Sequence, residues 1–270
     1  MKWHQELYHV VSIVRQAGQI VLDMYQQQDV KTWLKPDQSP VTQADMASHD
    51  YLIQELAQLT PSIPIISEED TLNVEPADCY WLIDPLDGTK DFIQRTGHFA
   101  ISVALIDQHR PVLGVIYVPV TQDCYYALEG LGAYKDIQNQ AQSPIAACAL
   151  GTQDKLRLAI SPRESSERYL AKLNPYFQYT FIKKGSCSLK CSLVADNLAD
   201  IYIRKGGTGL WDTAAAQCIL EQMGGAILSW NLEPLSYDVN QGLVNPDFIA
   251  VCSTNFDWAH VLHSKKHESK

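Results

Sequence analysis

One stretch constrains this chain more than any other: Trp81-Leu-Ile-Asp84-Pro85-Leu86-Asp87-Gly88-Thr89-Lys90-Asp91-Phe92. It begins as an apolar run suited to a buried strand and ends among carboxylates. Proline cannot donate to a sheet ladder, so the pattern predicts a strand that stops at Pro85. Asp87-Gly88-Thr89 then predicts a turn and the start of a helix. Two carboxylates three residues apart at a strand end can converge on one cation, and the amides of Gly88 and Thr89 would welcome an anion. An Asp-Gly turn with Asp87 as a plain helix cap also accounts for these residues.

Three further segments carry acids in comparable places. Ile65-Ile66-Ser67-Glu68-Glu69-Asp70 puts three acids directly after an apolar strand, where they are either a solvated loop or costly inward charges. Gly209-Leu-Trp-Asp212-Thr-Ala-Ala-Ala216 sets Asp212 at a helix start, followed by small residues that permit close approach. Ser39-Pro-Val-Thr42-Gln-Ala-Asp45 opens another helix, with Thr42 as a possible cap. Glu68, Asp84, Asp87 and Asp212 all follow buried strands or open buried helices, and such positions fall at the sheet edge where sites form. Two like charges about 5 Å apart repel by roughly 3 kcal/mol at an effective dielectric of about 20. Four converging carboxylates therefore require cations, and an all-oxygen donor set favours Mg²⁺ or Mn²⁺ over zinc.

Composition bounds the alternatives. The 270 residues are 46% hydrophobic and 19% charged, which excludes a disordered chain. Thirty-one acids against 21 bases give a net charge of −10, which argues against a nucleic-acid surface built on bulk positive charge. The start, Met1-Lys2-Trp3-His4, has no apolar signal core, and no run suggests a membrane span, so a cytoplasmic protein is expected. The seven cysteines form no paired Cys-x-x-Cys pattern and read as small buried hydrophobes in a reducing compartment.

Periodicity predicts helices over about 4–28 and 43–59, the second with Met46, Leu52, Ile53, Leu56 and Leu59 inward. Short buried strands are expected at Ile65-Ile66 and Tyr80–Ile83, then antiparallel strands over 99–107, 111–118 and 123–129. The polar segment 136–153 is taken as a boundary. Beyond it, strands at 156–160, 179–182, 199–203, 226–228 and 248–252 alternate with helices at 165–173, 187–196 and 210–223. The fold class expected is α/β, helices layered on sheets, in two fused sub-domains: 1–140 with most of the acids and 154–263 with Asp212. The tail from His263 reads as a solvated end.

The order and spacing of Ser-Glu-Glu-Asp, Ile-Asp-Pro-Leu-Asp-Gly-Thr and Trp-Asp-Thr-Ala-Ala resemble the inositol monophosphatase superfamily of lithium-sensitive phosphatases, over about residues 4–255. Ser39–Asp45, Asp87–Phe92, Leu189-Lys190 and Arg204 are most similar to its bacterial CysQ branch, the 3′(2′),5′-bisphosphate nucleotidases. The resemblance implies the inositol monophosphatase-like fold, with alternating helix and sheet layers. It implies metal ligands at Glu68, Asp84, the Leu86 carbonyl, Asp87 and Asp212, with Asp84 bridging two ions and a third, weaker ion near Glu68. It implies that Thr89, paired with Asp45, orients or deprotonates the attacking water, with Glu68 in the catalytic set. Substrate contacts are expected from Glu68, Leu86, Asp87, Gly88, Thr89, Ser188, Lys190, Arg204 and Asp212. Arg204-Lys205, standing where inositol phosphatases place a Glu, suit a second phosphate better than a neutral polyol.

The expected reaction is Mg²⁺-dependent hydrolysis of adenosine 3′,5′-bisphosphate to AMP and phosphate, with Mn²⁺ a possible substitute and Li⁺ and Ca²⁺ inhibitory. The partner is a small nucleotide bisphosphate, with no nucleic acid and no integral membrane segment. A monomer or homodimer is expected, with contact at the cytoplasmic face of the inner membrane left open. The alternatives are an inositol or other sugar phosphatase on the same core and a non-catalytic metal- or nucleotide-binding protein. The intact Thr89 and Asp45 argue against the last, since binding alone needs neither.

Overall fold

The computed structural model describes residues 2–27, 29–71, 77–138, 142–151 and 154–262. Helix α1, His4–Tyr25, buries Leu7, Val10, Val14, Ala17 and Val21 along the stripe its spacing predicts. A hairpin of β1 (Thr32–Leu34) and β2 (Pro40–Thr42) leads into α2, Gln43–Leu59. Leu52 and Leu56 of α2 are buried as expected, but Met46 is 38% exposed. The apolar pattern of α2 is too sparse to turn Met46 inward, because Asp45 and Ser48 occupy its buried face.

The first sheet has seven strands in the order β3-β4-β5-β6-β7-β8-β9. They are β3 (Ile65–Ser67), β4 (Cys79–Asp87), β5 (Ala100–Asp107), β6 (Arg110–Val118), β7 (Asp123–Leu128), β8 (Gly132–Asp136) and β9 (Ser143–Pro144). Only β3–β4 is parallel; the rest is the antiparallel meander that the three β-rich runs predict, extended by β8 and β9. Strand β4 does not end at Pro85. Asp84 pairs with Ser102 and Asp87 with Ala100, so three steps on β4 face two on β5. The extra residue is a β-bulge, which absorbs the missing proline donor without ending the strand. Residues 84 and 87 would face opposite sides of a regular strand; the bulge returns both to one side. The short helix α3, Thr89–Ile93, follows directly.

The second sheet has the order β11-β10-β12-β14-β13, built from β10 (Lys155–Ile160), β11 (Gln178–Lys183), β12 (Ile201–Arg204), β13 (Ala226–Ser229) and β14 (Phe248–Val251). Pairings around β10 are parallel, as its alternation with α4 (Ser166–Leu170) and α5 (Cys187–Ala195) requires; β14 runs antiparallel to both neighbours. Helix α6, Trp211–Glu221, precedes β13, and α7, Trp258–Val261, follows β14.

The buried clusters define five layers. Helices α1 and α2 pack on one face of the first sheet through Trp81, Ile83, Val103 and Val115. Helices α5 and α6 lie between its other face and the second sheet, meeting Leu82, Ile116, Tyr202 and Phe248. Helices α4 and α7 cover the outer face of the second sheet. The middle layer is thin where Gly114 of β6 faces α6: a Cβ there would sit 2.5 Å from the Ala215 carbonyl oxygen. The run Ala214-Ala215-Ala216 and Gly114 together allow this approach, which brings Asp212 to the end of β4.

Candidate active site

Helices α3, α5 and α6 direct their first turns at one open cleft of about 420 Å³. Its walls include Glu68, Asp87, Gly88, Thr89, Lys190, Arg204 and Asp212, so seven residues singled out in the sequence share one space. Asp84, Asp87 and Asp212 each offer a carboxylate oxygen within 4.8 Å of the others. The bulge supplies the first two, and the N-terminus of α6 supplies the third, where Asp212 Oδ2 accepts from the Gly209 amide at 2.8 Å.

Asp84 and Asp87 are buried and Asp212 is half-buried, and charges so placed need a counter-charge. Asp84 is 1% exposed; its Oδ1 accepts from the Leu86 amide at 3.0 Å, while Oδ2 has no partner. Burial, then the charges of Glu68, Asp87 and Asp212, pushes the Asp84 carboxyl well above its ordinary range. Burial, with Asp87 next, does the same to Asp212. An orphaned carboxylate oxygen aimed among like charges fits a divalent cation, and the all-oxygen donor set matches Mg²⁺ or Mn²⁺.

Asp87 does cap a helix, though not α3. Its carboxylate accepts from Ser186 Oγ at 2.6 Å, the Cys187 amide at 3.1 Å and the Ser188 amide at 2.6 Å, all at the start of α5. The cap of α3 is Gly88, at φ +103°, where a Cβ would lie 2.7 Å from the His98 carbonyl oxygen. Thr89 opens α3. Its hydroxyl donates to Asp45 Oδ1 at 2.9 Å and lies 3.3 Å from the Leu86 carbonyl oxygen. The other oxygen of Asp45 accepts from the Thr42 amide and hydroxyl at 2.8 and 2.6 Å, completing a capping box. One oxygen of Asp45 thus serves the cap, and the other pairs with Thr89. Burial raises the Asp45 carboxyl, and the Thr42 and Thr89 hydrogen bonds draw it back down.

Glu68 stands beside the three-acid focus rather than in it. Its carboxylate pairs with Lys35 at 2.8 Å, and Lys35 also holds Glu69 at 2.8 Å. Burial sets the Glu69 carboxyl at about 7 despite that lysine. Ser67–Asp70 is thus not a wholly solvated loop: the Glu69 side chain is 4% exposed.

The outer residues divide. Lys190 is 5% exposed, donates to the Ser186 carbonyl and sits 5.0 Å from the Tyr202 ring centre. Arg204 lines the cleft, its Nε donating to the Gly206 carbonyl at 3.0 Å. Lys205 does not join it. One step along the chain turns it to the other face, 4.1 Å over the Trp230 ring and 3.8 Å from Asp247. Ser188 does not line the cleft either: it is fully buried, offers its amide to Asp87 and leaves its hydroxyl unpartnered. Sequence reasoning missed Lys35, Ser186 and Arg163. Arg163 reaches from the second sheet to Asp91 of α3 at 2.9 Å and to Gln94 at 2.9 Å, across the cleft mouth.

Helix–sheet–helix–sheet–helix layers with buried acids focused beside a hydroxyl–carboxylate pair define a metal-assisted phosphatase of one architecture. The chain belongs to the inositol monophosphatase family, whose sequence profile matches residues 3–262. Its relatives include the 3′(2′),5′-bisphosphate nucleotidase CysQ of Aggregatibacter actinomycetemcomitans, 41% identical over 96% of this chain and 97% of that protein. The CysQ of Haemophilus influenzae is 38% identical over 95% and 96%. The crystal structure of CysQ from Bacteroides thetaiotaomicron superposes with a TM-score of 0.79 at 30% identity, covering 93% of this chain and 98% of that one. Among the described residues no helix is long and apolar enough to cross a membrane.

Proposed function

We propose that this chain is a Mg²⁺-dependent 3′(2′),5′-bisphosphate nucleotidase that hydrolyses adenosine 3′,5′-bisphosphate to AMP and phosphate. The chemistry rests on one observation: Asp84, Asp87 and Asp212 converge beside the Thr89–Asp45 pair. Asp84, Asp87, Asp212, Glu68 and the Leu86 carbonyl would hold two to three ions, with Mn²⁺ as a substitute and Li⁺ and Ca²⁺ as inhibitors. With Mg²⁺ bound, the site would supply an acidified water, offset phosphoryl charge and stabilise the departing 3′ oxygen until it takes a proton from solvent. Thr89 takes a proton from the attacking water as its own passes to Asp45 Oδ1. The amides of Gly88 and Thr89 hold the scissile phosphate at the start of α3. Attack in line then releases inorganic phosphate with no covalent enzyme intermediate.

The substrate reading is supported by the CysQ relatives and by Arg204, which presents a guanidinium to the cleft where a second phosphate would sit. Lys190 adds charge beneath it, and Ser188 acts through its amide on Asp87 rather than by touching substrate. Residues 1–140 would carry most metal ligands and 154–263 would carry Asp212 and the specificity groups. The protein would act in the cytoplasm as a monomer or homodimer. Phosphate release from adenosine 3′,5′-bisphosphate and from inositol 1-phosphate, measured side by side with Mg²⁺, tests the reading. The bisphosphate is expected to win by at least about tenfold in kcat/KM, since one charged phosphate contact contributes about that much. A preference for inositol 1-phosphate overturns the substrate, and no release from either overturns the enzyme.

A further inference from the structure

Cys148 and Cys252 lie 104 residues apart in the sequence, yet their sulfurs approach to 2.7 Å. Cys252 follows β14, is fully buried, and donates its amide to the Asp200 carbonyl. Cys148 is partly exposed, in the segment between β9 and β10. Residues 145–150 are held in place without the thiols: Ile145 and Leu150 pack into the middle layer, and Asn197 Nδ2 donates to the Ala146 carbonyl at 3.0 Å.

The Asp200 carboxylate completes a three-group cluster with the two sulfurs. A metal ion suits it poorly. Both Asp200 oxygens are engaged by Arg157, through its amide at 2.7 Å, Nε at 3.1 Å and Nη2 at 2.6 Å. Among the described residues no fourth His, Cys, Asp or Glu is grouped with these three. Two thiols in contact, one reachable from solvent and one enclosed, suit oxidation instead.

We propose that Cys148 and Cys252 form a redox-sensitive pair that closes into a disulfide when the protein meets a peroxide. The Cys148 thiolate attacks the peroxide O–O bond, giving a sulfenic acid and hydroxide, which takes up a proton to become water. The Cys252 sulfur then attacks the sulfenic sulfur. The hydroxyl leaves with the Cys252 proton as a second water. Two thiols and one hydrogen peroxide thus yield one disulfide and two waters, the sulfurs losing two electrons to the peroxide oxygens. Burial pushes the Cys252 thiol up, which fits the resolving rather than the attacking role. Neither cysteine lines the catalytic cleft, so the crosslink is separable from turnover. The loop it closes contains every strand of the second sheet, so it restrains the unfolded chain over that whole region.

The full-length protein, purified reduced, is treated with hydrogen peroxide, alkylated and mapped by peptide mass. The expected result is a Cys148–Cys252 linked peptide, lighter by two hydrogens and reversed by dithiothreitol. The melting temperature should rise by about 5 °C or more on oxidation. The Cys148→Ser protein, changed at a partly exposed site, should melt like the reduced wild type and show neither effect. Three results overturn the proposal: both cysteines remain alkylatable after peroxide, the two-hydrogen loss persists in Cys148→Ser, or the reduced protein retains stoichiometric Zn²⁺ that Cys148→Ser loses.

Discussion

Thr89 gives its hydroxyl hydrogen to Asp45 Oδ1 at 2.9 Å, joining the start of α3 to the start of α2 across 44 residues of sequence. Under the proposed mechanism this hydrogen bond would serve as a proton path as well as a structural tie. Thr89→Ala should lower kcat by about 10²–10⁴-fold with KM little changed, as for the loss of a positioned acid–base group. Steady-state kinetics on Thr89→Ala, Asp45→Ala and the double variant test the pairing. The double variant should be no worse than the poorer single one, because the two act as a unit.

Asp45→Asn carries a second cost. Its Oδ2 holds the capping box with Thr42, so stability should fall by about 1 kcal/mol beside the loss of turnover. Chemical denaturation with an unchanged m-value would report that loss.

Asp87→Asn should abolish turnover, with at least about a 10²-fold loss in kcat. It should also cost about 1–2 kcal/mol, since the carboxylate accepts three hydrogen bonds at the start of α5. Retained circular dichroism with a melting point a few degrees lower is the expected outcome. Full activity would remove Asp87 from the metal set.

Chelation should silence the enzyme and loosen it together. Three acids within 4.8 Å, two of them buried, repel one another until a cation arrives. Mg²⁺ at about 100 times its Kd should stabilise the fold by about 2.7 kcal/mol. Thermal melts with Mg²⁺ and with EDTA measure this, and Asp212→Asn should shrink the difference.

Arg204→Ala should raise KM for adenosine 3′,5′-bisphosphate by about 10- to 100-fold while leaving KM for a monophosphate nearly unchanged. Lys205→Ala, on the opposite face against Trp230, should leave both within about twofold. Equal effects of the two variants would remove Arg204 from recognition.

The acids stood out because Asp84, Asp87 and Asp212 are charged groups set beside strand and helix signals, and a plain turn or cap at each leaves their convergence unexplained. Helices α1 and α2 and the meander were legible from period alone. The bulge was not, because proline reads as a stop and only the pairing with β5 shows that the ladder resumes at Asp87. Nor was the target of Asp87, since α5 lies about a hundred residues downstream and a cap is read locally. Arg204 and Lys205 looked alike as neighbouring cations; strand alternation, invisible until the end of β12 was placed, sends them to different surfaces. Strands β8 and β9 sit in a polar stretch that mimics a loop, and the tail from His263 lies outside the described residues.

The supernumerary residue between Asp84 and Asp87 sets the faces of the two acids through a difference in length between β4 and β5. Adding one residue to β5 between Ala100 and Ser102 would regularise the ladder at three steps against three, turn Asp84 and Asp87 to opposite faces and break the tie to α5, whereas replacing Pro85 in place would keep the bulge intact. Bringing both acids to one face depends on the mismatch in residue count between β4 and β5 as much as on which acids they are.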